Sequence, residues 1–554
     1  MATRRLSKRT VAHRRTRVRP AAWPMLPLLA ACASAPAGRP VARPAAPTLA
    51  EVVDSTVTTP PLDRTHWGIE VHDPARGRPV YRLNADQHFV PASNMKLVVT
   101  TVAMGELGPD YRYRTELLAA GVADSVAREL IVVGSGDPTM SGRFFERDAA
   151  PVEALADSVY RAGIRRVEGA LVIDASRFDA QGVHPTWELG DLPWYYAAPT
   201  AAFAIAEAAA PMVVSPGAAA GAPAVITFPE PAEAFVLHNR LVTDTAGAET
   251  DYDVERAPGS YDLHVSGTIA ADAAPDTLWL AVVDPAAHAA RALVAALERR
   301  GIEVAGGFRV IRDTAAAAAL PRPDTTAAPR PDTAAHAGES AGRDSRAATA
   351  DPDAAAPGPG SAGRPPVSAA HRIAVWTSPP MHEIVAGILE PSQNWIAEQV
   401  LKTLGAERDG RGSWPAGLDV ERRYLVDVVG IDSAAVHLVD GSGLSAQNLL
   451  TPHATVRLLA HARSQPWGAT YREALAEPGE EGTLERRLET LQGRVHAKTG
   501  SITHVNTLSG FLRTGTGREL IFSVMTNASG VSGGEVREAI DRIVAAMADA
   551  GGRE

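Results

Sequence analysis

From residue 314 to about residue 370 the chain is built of Ala, Pro, Asp, Thr, Arg, Ser and Gly, with almost no large apolar side chain. Such a segment cannot bury enough surface to offset the entropy of ordering it, so disorder is predicted there. The sequence on both sides is patterned like a globular protein. Any shared core must therefore be closed by segments lying on opposite sides of a long insertion, which loop entropy permits at small cost. Before the insertion, Trp67 to His72 and Pro79 to Leu83 alternate apolar and polar residues around a turn at Asp73 to Gly77, the pattern of a half-buried hairpin. After it, Thr507 to Thr514 and Glu519 to Asn527 alternate around Gly515-Thr516-Gly517. A closing helix over Gly534 to Ala548 puts Val536, Ile540, Ile543, Val544 and Met547 on one face. The expected fold is α+β, with a discontinuous domain whose strands come from both ends of the chain and whose helices cover them.

Between these pieces the pattern changes. From about Tyr111 to Arg312, short strands such as Glu129 to Val133 and Ala170 to Asp174 alternate with turn clusters, and Val152 to Ala162 reads as an amphipathic helix. No nucleophile motif, metal set or phosphate loop stands out, so this region is expected to be accessory structure inserted between catalytic motifs. Asp191 to Pro199 holds an aromatic cluster beside prolines, fit for a core or for a substrate groove. The expected division is a leader at 1–32, a tether at 33–50, a first catalytic part at 51–115, accessory structure at 116–313, the insertion at 314–370, and a second catalytic part at 371–554.

The leader is basic, with Arg4, Arg5, Lys8, Arg9, Arg14, Arg15, Arg17 and Arg19, and its apolar run from Ala21 to Ala31 is too short to span a bilayer. It ends at Leu29-Ala30-Ala31-Cys32, which resembles a bacterial lipobox; an ordinary signal peptide cut between Ala31 and Ala37 is the alternative. Cys32 is the sole cysteine of 554 residues, so no intramolecular disulfide supports the exported fold. Formal net charge is -10, and losing the basic leader makes the mature chain more acidic, which argues against nucleic acid as a partner. The histidines are scattered without ligand spacing, so no metal is expected, and no cofactor either.

Three short motifs carry chemistry. Pro91 to Thr100 reads as a loop turning into a helix, with Ser93 and Lys96 three residues apart and so on one face. A serine hydroxyl becomes a nucleophile when a base takes its proton, and lysine serves as that base only if burial or neighbouring cations depress its pKa. Read alone, the pair fits a helix N-cap at Ser93 with Lys96 solvated in the first turn. Near the C-terminus, Lys498-Thr499-Gly500 lies on a strand-like run, and Ser392 with Asn394 stands between two helical stretches. Ser445 with Asn448, in the glycine-serine loop Asp440 to Ser445, rivals Ser392 and Asn394 for the middle place, but its spacing is one residue longer.

Ser-x-x-Lys, Ser-x-Asn and Lys-Thr-Gly, in that order, form the signature of penicillin-binding proteins and serine β-lactamases. The segments Trp67 to Asp73, Phe89 to Lys96, Asp191 to Pro199, Pro391 to Leu404, Asp440 to Ser445 and His496 to Gly500 resemble the D-alanyl-D-alanine carboxypeptidase/endopeptidase family of class C low-molecular-mass penicillin-binding proteins. The long gap between Lys96 and Ser392 fits that family, which carries extra domains inside its transpeptidase-like domain. The resemblance implies peptidoglycan stem peptides as substrate and β-lactams as covalent inhibitors. It implies Ser93 as nucleophile, Lys96 as base and Ser392 as proton relay. Asn394, Lys498, Thr499, Gly500 and Ser501 would bind substrate, and the oxyanion would lie between the backbone N–H groups of Ser93 and Ser501. A β-lactamase and a non-catalytic peptidoglycan-binding scaffold are the alternatives.

Overall fold

The computed structural model describes residues 47–229, 233–323 and 370–549. The leader, Cys32 and the greater part of the expected tether lie outside the described residues.

In chain order, a helix at Leu49–Thr58 leads to the hairpin β1 (His66–Asp73) and β2 (Arg78–Leu83). A single 3-10 turn at Ala92–Asn94 runs into α1 (Met95–Glu106). The inserted region supplies β3 (Arg114–Ala120), β4 (Glu129–Val133), β5 (Leu171–Asp174), β6 (Phe308–Ile311) and β7 (Ala370–Thr377). The helices that follow include α2 (Met381–Leu389), α3 (Asn394–Asp409), α4 (Trp414–Arg423) and α5 (Pro452–Ser464). The chain then returns through β8 (Val495–Ile502), β9 (Val505–Arg513) and β10 (Glu519–Asn527), and ends with α6 (Gly533–Asp549).

The two ends close one antiparallel sheet in the order β8-β9-β10-β1-β2, with β1 paired to β10 from His66 opposite Asn527 to His72 opposite Ile521. Side chains alternate across a strand, so each strand serves two layers. Leu508, Leu512, Phe522 and Val524 pack with Val536, Ile540, Val544 and Met547 of α6 and with Leu49 and Val53. Phe511, Ile521 and Met525 face the other way, into a core built from α1, α2, α3 and α5. Eight of the nine β9 residues are buried, as expected of a strand covered on both faces.

A second five-stranded sheet, in the order β6-β5-β4-β3-β7, has its own core with the helices Ala150–Arg161 and Pro285–Arg299. Two three-stranded sheets between residues 209 and 281 enclose a further small core. The fold is α+β with an inserted accessory region.

Three expectations require correction. The tether does not run to residue 50: Thr48 and Glu51 form a reciprocal capping box that starts a helix at Leu49, with Leu49 and Val53 in the core. The insertion is not structureless from residue 314, since the Asp313 carboxylate caps a helical turn at Thr314–Ala318 and Leu320 is buried. The boundaries expected at 115/116 and 370/371 fall at paired strands, because β7 hydrogen-bonds along β3 and both belong to the accessory sheet.

One close approach locks the α1 entry to the rest of the cleft. Gly443 has φ +78, and a Cβ there would stand 1.8 Å from the carbonyl oxygen of Ala92. Gly443→Ala should lose about 1–2 kcal/mol of stability from the backbone conformation alone, and more from the overlap, read as a lowered denaturation midpoint. A midpoint matching the unaltered protein would contradict this packing.

Candidate active site

Pro91, Ala92, Asn94, Met95 and Lys96 are all buried, and Ser93 alone among them retains partial exposure. The turn is fixed from below: Asn94 Nδ2 donates to Ser509 Oγ at 2.7 Å, and Ser509 Oγ donates to Ser523 Oγ at 2.9 Å, tying the start of α1 to β9 and β10. Ser93 lies in the 3-10 turn ahead of α1, yet the three-residue offset still brings its hydroxyl to Lys96.

Lys96 is fully buried, and its Nζ donates to three acceptors: Ser93 Oγ at 2.8 Å, Asn394 Oδ1 at 2.6 Å and the Ser442 carbonyl at 2.8 Å. Loss of hydration lowers its pKa to about 7, against the pull of Asp440 and then Glu398, which favour the ammonium. Both carboxylates are fully buried and saturated with N–H donors. Glu398 accepts from the backbones of Gly441 and Ser442 and from Trp414 Nε1, at 3.1, 2.7 and 2.7 Å. Asp440 accepts from the backbones of Gly443 and Ser445, from Trp187 Nε1 and from Asn448 Nδ2. Burial, with Asp440 nearby, raises the Glu398 carboxyl to about 7. These bonds shape the 440–445 loop and aim the Ser442 carbonyl at Lys96.

The second motif joins from the start of α3. Asn394 bridges two regions, with Oδ1 on Lys96 and Nδ2 donating to the Tyr196 carbonyl at 2.9 Å. Ser392 accepts from Lys498 Nζ at 2.7 Å, and the same ammonium donates to the Thr499 carbonyl at 2.8 Å. Lys498 is buried, and desolvation followed by the nearby Lys96 pushes its pKa well below the usual lysine value. β8 is the edge strand of its sheet, so one row of its backbone groups is not used by β9. Thr499 is half-buried, Ser501 is exposed, and a Cβ at Gly500 would meet Thr507 Oγ1 at 2.2 Å, the Pro91 carbonyl at 2.8 Å and Ser93 N at 3.0 Å. The Lys-Thr-Gly strand thus lies directly against the serine turn.

The six motif side chains Ser93, Lys96, Ser392, Asn394, Lys498 and Thr499 lie on adjoining segments of one cleft. Ser445 and Asn448 do not join that hydrogen-bonded set. Ser445 Oγ accepts from Thr186 and from the Gln447 backbone, while the Asn448 amide binds the Val439 and Asp440 backbones and the Asp440 carboxylate, so both serve the loop interior. Sequence reasoning missed Glu398 and the Ser442 carbonyl. The first looks like any polar residue of an amphipathic helix, and a backbone carbonyl has no sequence signature. Among the described residues, no group of His, Cys, Asp and Glu side chains is arranged to hold a metal ion.

A D-alanyl-D-alanine carboxypeptidase from an Actinomadura species is 31% identical over 521 residues, spanning 91% of this chain and 85% of the relative. Penicillin-sensitive carboxypeptidase A of Dictyostelium discoideum is 23% identical, spanning 87% of this chain and 86% of the relative. The crystal structure of penicillin binding protein 4 from Haemophilus influenzae shares the fold, with a TM-score of 0.72 at 20% identity over 90% of this chain and 99% of that one. The D-Ala-D-Ala carboxypeptidase 3 (S13) family model matches residues 49–328 and 360–547, reaching into both ends of the insertion, and the chain belongs to that family.

Proposed function

We propose that this protein is a serine D-Ala-D-Ala carboxypeptidase/endopeptidase that cleaves peptidoglycan stem peptides, at the terminal D-Ala or at a cross-link, through an acyl-enzyme. The observation that carries this reading is the Lys96 ammonium nitrogen, buried and 2.8 Å from Ser93 Oγ, with its pKa brought to about 7. A lysine in that state is neutral for a useful fraction of the time near neutral pH and accepts a proton readily.

Lys96 takes the Ser93 hydroxyl proton while Oγ attacks the penultimate D-Ala carbonyl carbon. The tetrahedral oxyanion lies between the backbone N–H groups of Ser93 and Ser501, each worth about 3 kcal/mol in the transition state. The C–N bond then breaks, and Ser392 relays a proton to the departing nitrogen, so the proton lost by Ser93 ends on the amine. Water attacks the acyl carbon in the second half-reaction and returns the Ser93 hydroxyl. The arriving substrate carboxylate favours the charged form of Lys498, which then pairs with it beside the Thr499 hydroxyl, Asn394 bonds the substrate amide, and Gly500 lets the substrate backbone lie close to the strand. A β-lactam ring amide enters the same acylation, but its leaving nitrogen stays tethered. The β-lactamase alternative lacks support, because Glu398, the buried acid beside the site, is already bound by three N–H donors.

The Actinomadura and Haemophilus relatives favour the bacterial cell envelope, and the basic leader with its short apolar run supports export with lipidation at Cys32. Among the described residues no helix is long and apolar enough to cross a membrane. Metabolic labelling with a radiolabelled fatty acid should mark the exported protein, and Cys32→Ala should lose the label; retention of label in that variant excludes this cysteine as the anchor.

Incubated with benzylpenicillin, the protein should gain one penicilloyl adduct by mass spectrometry, and Ser93→Ala should gain none. An unacylated unaltered protein with intact circular dichroism would end the peptidase reading.

The pH dependence has a definite sign. Neutral Lys96 is the base, so acylation should rise with pH through about 7. The charged groups acting on it are Asp440 and Glu398, which raise its pKa, and Lys498 across the cleft. Because the Glu398 carboxyl itself stands near 7, E398Q removes only part of that attraction and should move the acid limb modestly to lower pH. A limb that stays in place or moves upward in a folded E398Q would exclude that coupling.

A further inference from the structure

Ser392 has φ +65, a left-handed conformation that costs a non-glycine residue about 1–3 kcal/mol and persists only where the surroundings dictate it. The neighbouring residue shows what dictates it here. Gln393 is 5% exposed, and its Oε1 accepts from the Trp395 backbone at 2.7 Å, capping α3. Its Nε2 donates to a carboxylate oxygen of Glu207, a residue of the inserted region.

Glu207 is itself held in a strained place. Ala206, Glu207 and Ala208 have φ values of 52, 55 and 54, three consecutive left-handed residues with no glycine among them. The turn is fixed on both flanks, by Ala206 N donating to the Met140 carbonyl and Val282 N to the Ala208 carbonyl, each at 2.9 Å. Arg143 grips the carboxylate with two donors, Nε on Oε1 and Nη2 on Oε2, leaving Oε2 also bonded to Gln393. Three costly residues in a row deliver one carboxylate to one glutamine.

We propose that Glu207 is a positioning residue for the second motif: through Gln393 it fixes the Ser392 turn, and so the inserted region governs proton delivery to the leaving group. This rests on the acyl-transfer reading above, in which Ser392 relays a proton to the departing nitrogen. Glu207 touches no reacting atom in that scheme. Acting through Ser392, its effect is largest for a leaving group that needs a proton.

That specificity provides the test. Acylation is followed with two substrates sharing one acyl group, a D-Ala-D-Ala amide and the matching thioester, whose thiolate departs unprotonated. E207Q sets an amide NH2 against either Arg143 or Gln393, and Q393E sets two carboxylates against each other. Each should slow acylation by the amide about 100-fold, the scale of a small misplacement of a catalytic group, and slow the thioester by much less. In E207Q/Q393E, residue 207 still accepts from Arg143 Nε and donates to residue 393, restoring the bond between 207 and 393 at the loss of the Arg143 Nη2 bond, and the amide rate should recover well above that of either single variant. Equal losses on both substrates, no loss on either, or a folded double variant without recovery would each overturn the proposal. If a single variant fails to fold, R143K loosens the same carboxylate from a partly exposed side chain, and the same amide-selective loss is required of it. An unaltered protein that acylates with neither substrate would instead defeat the underlying peptidase reading.

Discussion

Everything in the cleft follows from taking Lys96 out of water. A buried ammonium without partners costs several kcal/mol, and a buried neutral amine still needs its hydrogen bonds, so the fold must bring acceptors to one nitrogen. It brings Ser93 Oγ, Asn394 Oδ1 and the Ser442 carbonyl, from residues 3, 298 and 346 positions away from Lys96 in the chain. Each acceptor is then held by further bonds: the loop behind Ser442 by Glu398 and Asp440, and Asn394 by the Tyr196 carbonyl. The two acids also counter the charge that Lys96 acquires when it takes a proton. Desolvation and compensation thus oppose each other, and the balance sits near neutrality because neither is complete.

The same cleft is a joint between two bodies of structure. The serine turn and the Lys-Thr-Gly strand rest on the sheet closed by the chain ends, through Asn94 on Ser509 and Gly500 beneath Pro91. The second motif rests on the inserted region instead. Trp395 Nε1 donates to the Pro199 carbonyl at 2.8 Å, and the Gln399 amide exchanges bonds with Ala201 at 3.2 and 2.9 Å. One face of α3 is therefore read by the 196–207 segment, and the other meets α1 and the 440–445 loop. The aromatic stretch at Asp191 to Pro199 contributes to the site chiefly through backbone carbonyls, which neither a core nor a groove assignment from composition anticipates.

Legibility in the sequence followed the range of the interaction. The first hairpin, α6 and the Ser93–Lys96 pairing are local patterns, written in spacings of two to seven residues, and they are visible without a structure. The discontinuity of the sheet was visible as well, because strands of matching pattern stood on either side of an insertion. The β3–β7 pairing was not, since nothing local in Ala370 to Thr377 names its partner on the far side of the insertion. Residues Thr314–Ala318 were concealed by composition: an alanine run resembles a linker until a cap such as Asp313 is credited with starting a turn. Glu398 and Glu207 were concealed for another reason. Their meaning lies entirely in which N–H groups the tertiary fold turns toward them.

Strain and glycine divide the labour at the nucleophile. Ala92 stands at φ +46, immediately before Ser93, where an alanine is disfavoured. The turn cannot relax, because backbone lies against it on two sides: Gly443 beneath the Ala92 carbonyl and Gly500 against the Pro91 carbonyl and Ser93 N. At both contacts a side chain would force the walls apart, so the glycines permit the closeness and Ala92 bears the distortion. A serine held in that clamp, already bonded to its base, has little left to reorganise when it attacks, and donors fixed in advance stabilise charge without first having to move. The clamp closes only when the 440–445 loop and β8 are both in place. The nucleophile is therefore set up by the completed fold and not by the helix that carries it.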